Sequence, residues 1–174
     1  MFERHVFLIG MAGSGKSSLG RKVASALRVG YIDMDRRIQD IMGMSIVDIF
    51  AQYGEKTFRT AETNLLIAMT REPPALVSTG GGTAMNPENV NIMKAHGIIV
   101  LVDRPLEQIV SDIKLDRRPL YSEKGVAEVE RVYKERIGVY RGAADLVLDN
   151  SKGFHAGAEE LERMLRLRFG LYTL

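Results

Sequence analysis

The sequence has 174 residues, 45% of them hydrophobic, and sets 24 Lys and Arg against 22 Asp and Glu for a formal net charge of +2. A chain of this length buries about 70% of its unfolded surface, so residues 1–174 are expected to form one domain that needs no covalent staple. The absence of cysteine excludes disulfides, a thiolate nucleophile and a Cys-ligated zinc, and the balanced charge makes no case for nucleic acid.

The first element expected is a buried parallel strand over residues 6–9, where Val6-Phe7-Leu8-Ile9 forms a continuous apolar run. It leads into Gly10-Met11-Ala12-Gly13-Ser14-Gly15-Lys16-Ser17, a complete G-x-x-x-x-G-K-S sequence, with a helix read over residues 18–27. Strand, glycine-rich turn and helix in that order form a phosphate-binding loop. The glycines let the backbone approach the ligand, and successive N–H groups and the positive end of the helix face the phosphates. Gly13, Ser14, Gly15, Lys16, Ser17 and Ser18 are therefore read as nucleoside triphosphate contacts, with Lys16 on the β/γ-phosphates and the Ser17 hydroxyl on Mg²⁺.

A second strand over residues 30–32 ends in Asp33-Met34-Asp35, two carboxylates at i and i+2 at the edge of the sheet where open α/β folds bind ligands. In extended backbone both point to one side, so one can reach the hydration shell of Mg²⁺ while the other meets the group that accepts phosphate. Either can equally cap a helix starting near Arg36. Next comes an amphipathic helix over residues 60–70, with Ala61, Leu65, Ala68 and Met69 on one face, stopped by Pro73-Pro74. The third strand, residues 75–79, runs into Gly80-Gly81-Gly82, a turn whose bare amides can hold a ligand closely. Asn86-Pro87 reads as the N-cap and first residue of another helix. A strand over residues 98–102 belongs to the longest apolar stretch, residues 97–102, far short of the about 20 residues that span a membrane.

Residues 115–125 form the most irregular segment and read as a mobile loop, or lid over residues 112–125, carrying Arg117, Arg118 and Pro119. Residues 114–141 hold eight Lys and Arg against five Asp and Glu, which fits a solvated helical face or a phosphate partner. A strand over residues 145–148 and a helix over residues 158–169 complete an alternation that predicts α/β architecture: three layers, with a central parallel five-stranded sheet. Arg59, Arg118 and Arg141 are candidate anion ligands, since a planar guanidinium grips carboxylate or phosphate at two points. For Arg59 the competing reading is a helical pair with Glu62. His5, His96 and His155 are scattered and read as structural or surface residues. With no charged and apolar leader pattern at the start, the expected location is the cytoplasm.

Taken together, the phosphate loop followed by Ser18-Leu19-Gly20-Arg21, Asp33-Met34-Asp35, Phe58-Arg59 with Glu62, Gly80-Gly81-Gly82, Arg118-Pro119-Leu120, and Tyr140-Arg141 with Ala144-Asp145 resemble the shikimate kinases, relatives of the nucleoside monophosphate kinases. The resemblance implies a P-loop fold, ATP as co-substrate, Mg²⁺ and a monomer. It further implies γ-phosphoryl transfer to the 3-hydroxyl of shikimate, a step toward chorismate and the aromatic amino acids. On this footing Ser17 and Asp33 serve Mg²⁺, Asp33 through water, and Asp35 binds the acceptor hydroxyls and assists proton loss. Arg59 and Arg141 clamp the carboxylate, residues 80–82 complete the pocket, and Arg118 is an ATP-side catalytic cation. The chain departs from the family at Ser111, where an adenine-stacking Arg is usual. It also departs at Tyr121, usually Leu, and over Asn150-Ser151-Lys152-Gly153, a loose match to the adenine-side loop. The alternatives are a kinase of another small acidic polyol, such as gluconate, and an inactive nucleotide-binding regulatory module.

Overall fold

The computed structural model describes residues 2–112 and 125–171. The expected lid, including Arg118, Lys114 and Tyr121, lies outside the described residues apart from its two ends.

Five strands form a wholly parallel sheet in the order β2-β3-β1-β4-β5, made of β1 (His5–Ile9), β2 (Gly30–Asp33), β3 (Ala75–Ser78), β4 (Gly97–Asp103) and β5 (Leu146–Asp149). The first strand occupies the centre, with Val6 opposite Leu76 on one side and Ile98 on the other. Buried on both faces, β1 has no room for polar alternation, which explains its unbroken apolar sequence. Alternate residues serve two cores. Val6, Leu8, Val100 and Leu148 pack with Leu19 and Val23 of α1 (Lys16–Leu27) and with Leu161 and Leu165 of α7 (Phe154–Phe169). Phe7, Ile9, Val77 and Leu101 face the other way. They meet Met34 and Ile38 of α2 (Met34–Met42), Leu66 and Met69 of α3 (Ile46–Met69), Met93 of α4 (Pro87–His96), Ile109 of α5 (Leu106–Asp112) and Val129 of α6 (Gly125–Ala143). The three layers of the sequence reading are present.

Most differences from the expected elements are small shifts at their ends. The final strand begins one residue later than expected and extends to Asp149, and α7 starts at Phe154 rather than near residue 158. The larger difference is α3, which begins at Ile46 and passes a break at Gly54 (φ 78°, ψ 167°) before reaching the expected segment. Ser45 caps it by accepting a hydrogen bond from Asp48 N. The first half of the helix has its own apolar face, with Ile46, Ile49 and Phe50 at i, i+3 and i+4 turned to the core, and Gly54 separates it from the segment read from the sequence. Asn86 caps α4 with Pro87 in the first turn, as expected, its Oδ1 accepting from Glu88 N at 3.0 Å.

At the base of the sheet His5 is 3% exposed, its Nδ1 accepting the Ala75 amide at 3.1 Å and its Nε2 3.0 Å from the Met69 carbonyl. Because an amide can only donate, the proton sits on Nε2, and the ring joins β1 to the end of α3 and the start of β3. Replacing it by an apolar side chain strands the buried Ala75 amide, at a cost of about 1–3 kcal/mol, while the Met69 carbonyl keeps its bond from the Glu72 amide at 2.9 Å. His5→Leu is therefore expected to lose about 1–3 kcal/mol in urea unfolding; a loss under about 0.5 kcal/mol would refute the bridging role.

Candidate active site

The phosphate loop spans the end of β1 and the start of α1. Its backbone needs glycine: Gly10, Gly13 and Gly15 have φ of 138°, 83° and 101°, and a Cβ at Gly10 would fall 2.7 Å from Val102 O. Inside the loop, buried Lys16 donates from Nζ to the carbonyls of Gly10 (2.9 Å) and Met11 (2.7 Å). The ammonium is thereby held over the loop before any ligand arrives. Ser17 and Ser18 lie exposed in the first turn of α1. The Ser14 hydroxyl is fully buried and has no hydrogen-bond partner among the described residues, a polar atom inside a cradle built for anions. A cavity of about 270 Å³ is lined by Ala12, Gly13, Gly15, Lys16, Ser17 and Ser18, and on its far side by Asp35, Thr79, Gly81 and Arg104.

The acidic pair follows β2. Asp33 caps α2 by accepting the Arg36 amide at 3.2 Å, so the capping role weighed from sequence is realised, and it leaves Oδ2 3.3 Å from the Tyr31 hydroxyl. That hydroxyl also lies 3.2 Å from Ser78 Oγ and 3.1 Å from Ser17 O, joining β2, β3 and α1. Burial pushes the Tyr31 phenol above its ordinary range, and the Asp33 carboxylate adds to the effect. Asp35, in the first turn of α2, stands on the shared wall of the phosphate cavity and an adjoining cleft of about 750 Å³, which Ser17 and Asp33 also line.

The glycine turn packs directly on the phosphate loop: a Cβ at Gly81 would fall 3.3 Å from Ala12 N. At Gly80 it would fall 2.8 Å from Asp35 Oδ1 and collide with Glu62 Oε1. At Gly82 it would run into the Arg59 guanidinium, 2.5 Å from Cζ. These glycines are thus a matter of space, and Asp35, Arg59 and the turn meet in one place.

Arg59 is paired with Glu62 (Nη1 to Oε2, 2.6 Å) and Glu55 (Nη2 to Oε1, 2.9 Å). The helical pair posed as the competing reading is therefore real, yet Glu62 is no surface partner. It is completely buried and its other oxygen accepts from Thr83 Oγ1 at 2.5 Å, directly after the glycine turn. Burial alone works to lower the Arg59 pKa, but the charge and hydrogen bonds of Glu62, seconded by Glu55, outweigh it and hold the guanidinium firmly charged.

Arg141 is placed elsewhere. Its side chain is 60% exposed and donates to Asp103 Oδ2 at 3.0 Å, whereas Tyr140 OH donates to Gly81 O at 2.5 Å. The arginine that reaches the turn is half-buried Arg136, whose Nη1 donates to the same carbonyl at 3.3 Å. Helical period was the signal available in the sequence: positions 136 and 140 are one turn apart on one face, while 141 is rotated about 100° away. Arg104 on the cavity wall was likewise not foreseen.

A phosphate loop opening a doubly wound parallel sheet, with an acidic and an arginine-bearing wall across from it, defines a P-loop nucleotide-dependent phosphotransferase. The shikimate kinase family profile matches residues 12–166. A shikimate kinase of Clostridium beijerinckii is 34% identical over 163 residues, 94% of this chain and 95% of that protein. Among solved structures, a shikimate kinase from Acinetobacter baumannii in complex with shikimate superposes with a TM-score of 0.87 at 28% identity, covering 98% of this chain and 96% of the other. This chain belongs to the shikimate kinase family. A gluconokinase from Sinorhizobium meliloti, at 14% identity and a TM-score of 0.55 over 96% of this chain and 98% of the other, shares the fold alone.

Gly82 has φ −97°, which alanine tolerates, so the cost of Gly82→Ala arises from the Arg59 guanidinium. The substitution is expected to cost about 1–3 kcal/mol in the native protein and well under half of that in an Arg59→Ala background. Urea denaturation of the four proteins in the cycle measures this coupling, and equal costs in both backgrounds would separate the two residues.

Proposed function

We propose that this chain catalyses direct transfer of the ATP γ-phosphoryl group to the 3-hydroxyl of shikimate, giving shikimate 3-phosphate and ADP. The observation that carries the reading is that the phosphate loop shares one cavity with Asp35 and Gly81, while two guanidinium groups, Arg59 against Gly82 and Arg136 on the Gly81 carbonyl, converge on that same glycine turn. One carboxylate and two guanidinium groups form a pocket for a small polyol that bears a carboxylate. In this reading the loop amides of Gly13, Ser14 and Gly15, with Lys16, Ser17 and Ser18, hold the triphosphate. Asp35 orients the acceptor hydroxyl and takes its proton as the oxygen attacks phosphorus. Arg59 and Arg136 grip the carboxylate against residues 80–82, and Arg118 supplies further positive charge to the moving phosphoryl group. No covalent enzyme intermediate forms; positioning and charge neutralisation do the work.

The residues present fit Mg²⁺. Ser17, Asp33 and Asp35 offer only oxygen donors to one cleft. Among the described residues no cluster of three or more His, Cys, Asp or Glu forms a metal cage. That suits an ion held chiefly by phosphates and water with a hydroxyl and a carboxylate beside it. Ser17 and, through water, Asp33 would hold it, and when bound it neutralises charge on the β- and γ-phosphates. Asp33 is already fixed for this by its cap to Arg36 N.

Coupled measurement of ADP release with shikimate and with gluconate, side by side, tests the acceptor: turnover is expected with shikimate, and preference for gluconate would overturn the reading. Asp35→Asn should lower kcat by about 10²–10⁴-fold, the range of a lost general base, with ADP affinity held within about twofold; near-normal kcat removes Asp35 from proton transfer. Arg59→Ala and Arg136→Ala should each raise the shikimate KM by about tenfold or more, the scale of a lost charge-assisted contact. Arg141→Ala should leave it within about twofold. A KM rise at Arg141 matching that at Arg136 would return the clamp to position 141.

A further inference from the structure

Arg104 stands between β4 and α5 and forms part of the phosphate-cavity wall. Its Nη1 donates to Gly13 O of the phosphate loop at 3.0 Å, and its Nε to Gln108 Oε1 at 3.3 Å. Gln108 is fixed in turn, its Nε2 donating to Ser151 O at 2.9 Å in the turn after β5. The third contact is an ion pair, Nη2 to Asp112 Oδ2 at 2.5 Å. Exposure separates these partners: the Arg104 side chain is 18% exposed, that of Asp112 58%. The guanidinium has five N–H groups, and among the described residues these contacts take one from each nitrogen.

The cation is thus clamped by neutral partners on the phosphate loop and on α5, while its counterion sits in solvent. Arg104 holds the Asp112 carboxyl below its ordinary range, so Asp112 is a charged partner that a phosphate has to displace. An exposed ion pair contributes only about 0–1 kcal/mol, whereas a guanidinium meeting a phosphate in a partly enclosed cavity makes one of the stronger charge-assisted contacts. A polyphosphate entering the cavity therefore outcompetes Asp112.

We propose that Arg104 is a nucleotide ligand that exchanges the Asp112 carboxylate for a phosphate oxygen of ATP or ADP while keeping its bonds to Gly13 and Gln108. The inference rests on the nucleotide half of the function proposed above and does not depend on the identity of the acceptor.

The test compares native protein, Arg104→Gln, Asp112→Asn and the double variant by calorimetric titration with Mg²⁺-ADP and, separately, with shikimate. Arg104→Gln is expected to weaken ADP binding about tenfold or more, with shikimate affinity within about twofold. Asp112→Asn is expected to tighten ADP about threefold, a gain that vanishes in the double variant. The opposite sign at the two positions is the discriminating result, because a purely structural Arg104–Asp112 latch makes both substitutions weaken ADP. Asp112→Asn that fails to tighten ADP, or Arg104→Gln that leaves it within about twofold, overturns the proposal. Native protein that binds ADP yet turns over no shikimate strikes the acceptor assignment alone, and the four-protein comparison still decides Arg104.

Discussion

The whole site depends on the contact of two backbones: the glycine turn after β3 lies against the phosphate loop after β1, with the Gly81 side-chain position 3.3 Å from Ala12 N. Because β1 and β3 are neighbours in the sheet, their loops emerge side by side at the carboxyl edge, where doubly wound sheets bind ligands. Any side chain at residues 80–82 would wedge these loops apart or displace Asp35, Glu62 or Arg59. From that approach the rest follows. The phosphate loop and the glycine turn share a wall, and Tyr140 and Arg136 from α6 close on the turn through the Gly81 carbonyl.

The electrostatics are arranged around one wholly buried carboxylate. Glu62 would be costly to bury alone, but one oxygen accepts from Arg59 and the other from Thr83. Removing Arg59 would leave an uncompensated buried charge and removing Thr83 a buried oxygen without its donor, so Glu62 fixes both the orientation of Arg59 and the foot of the glycine turn. Glu55 on the outer side completes the grip. Arg59 is held charged and still, with its entropy already spent before a ligand arrives.

What could be read from the sequence was what local chemistry dictates. The apolar run of β1, the glycines of the phosphate loop, the Asn86-Pro87 cap and the pairing of carboxylates after β2 each follow from steric or hydrogen-bonding rules that act over a few residues. The first half of α3 was not read, although Ile46, Ile49 and Phe50 have helical spacing, because that stretch is only two turns long before Gly54. Arg136 was missed in favour of Arg141 because both are surface-like arginines near one helix end, and only the direction in which α6 faces the glycine turn separates them. Glu62 illustrates the same limit: its spacing from Arg59 is that of an ordinary exposed pair, and nothing local reveals that it is buried. Arg104 carries no motif at all, and its place on the cavity wall follows from β4 ending beside the phosphate loop.

The central position of β1 has a consequence for how the chain acquires its site during synthesis. Both neighbours of this early strand come much later, its Val6 pairing with Leu76 and Ile98. A nascent chain that ends before β4 holds the complete phosphate-loop sequence but cannot flank the strand that aims it. Such non-local parallel pairing is slow to form, and until then an apolar segment stays open to other chains and to chaperones. Nucleotide affinity in this protein therefore waits until the chain has passed β4, although its signature sequence is among the first parts made.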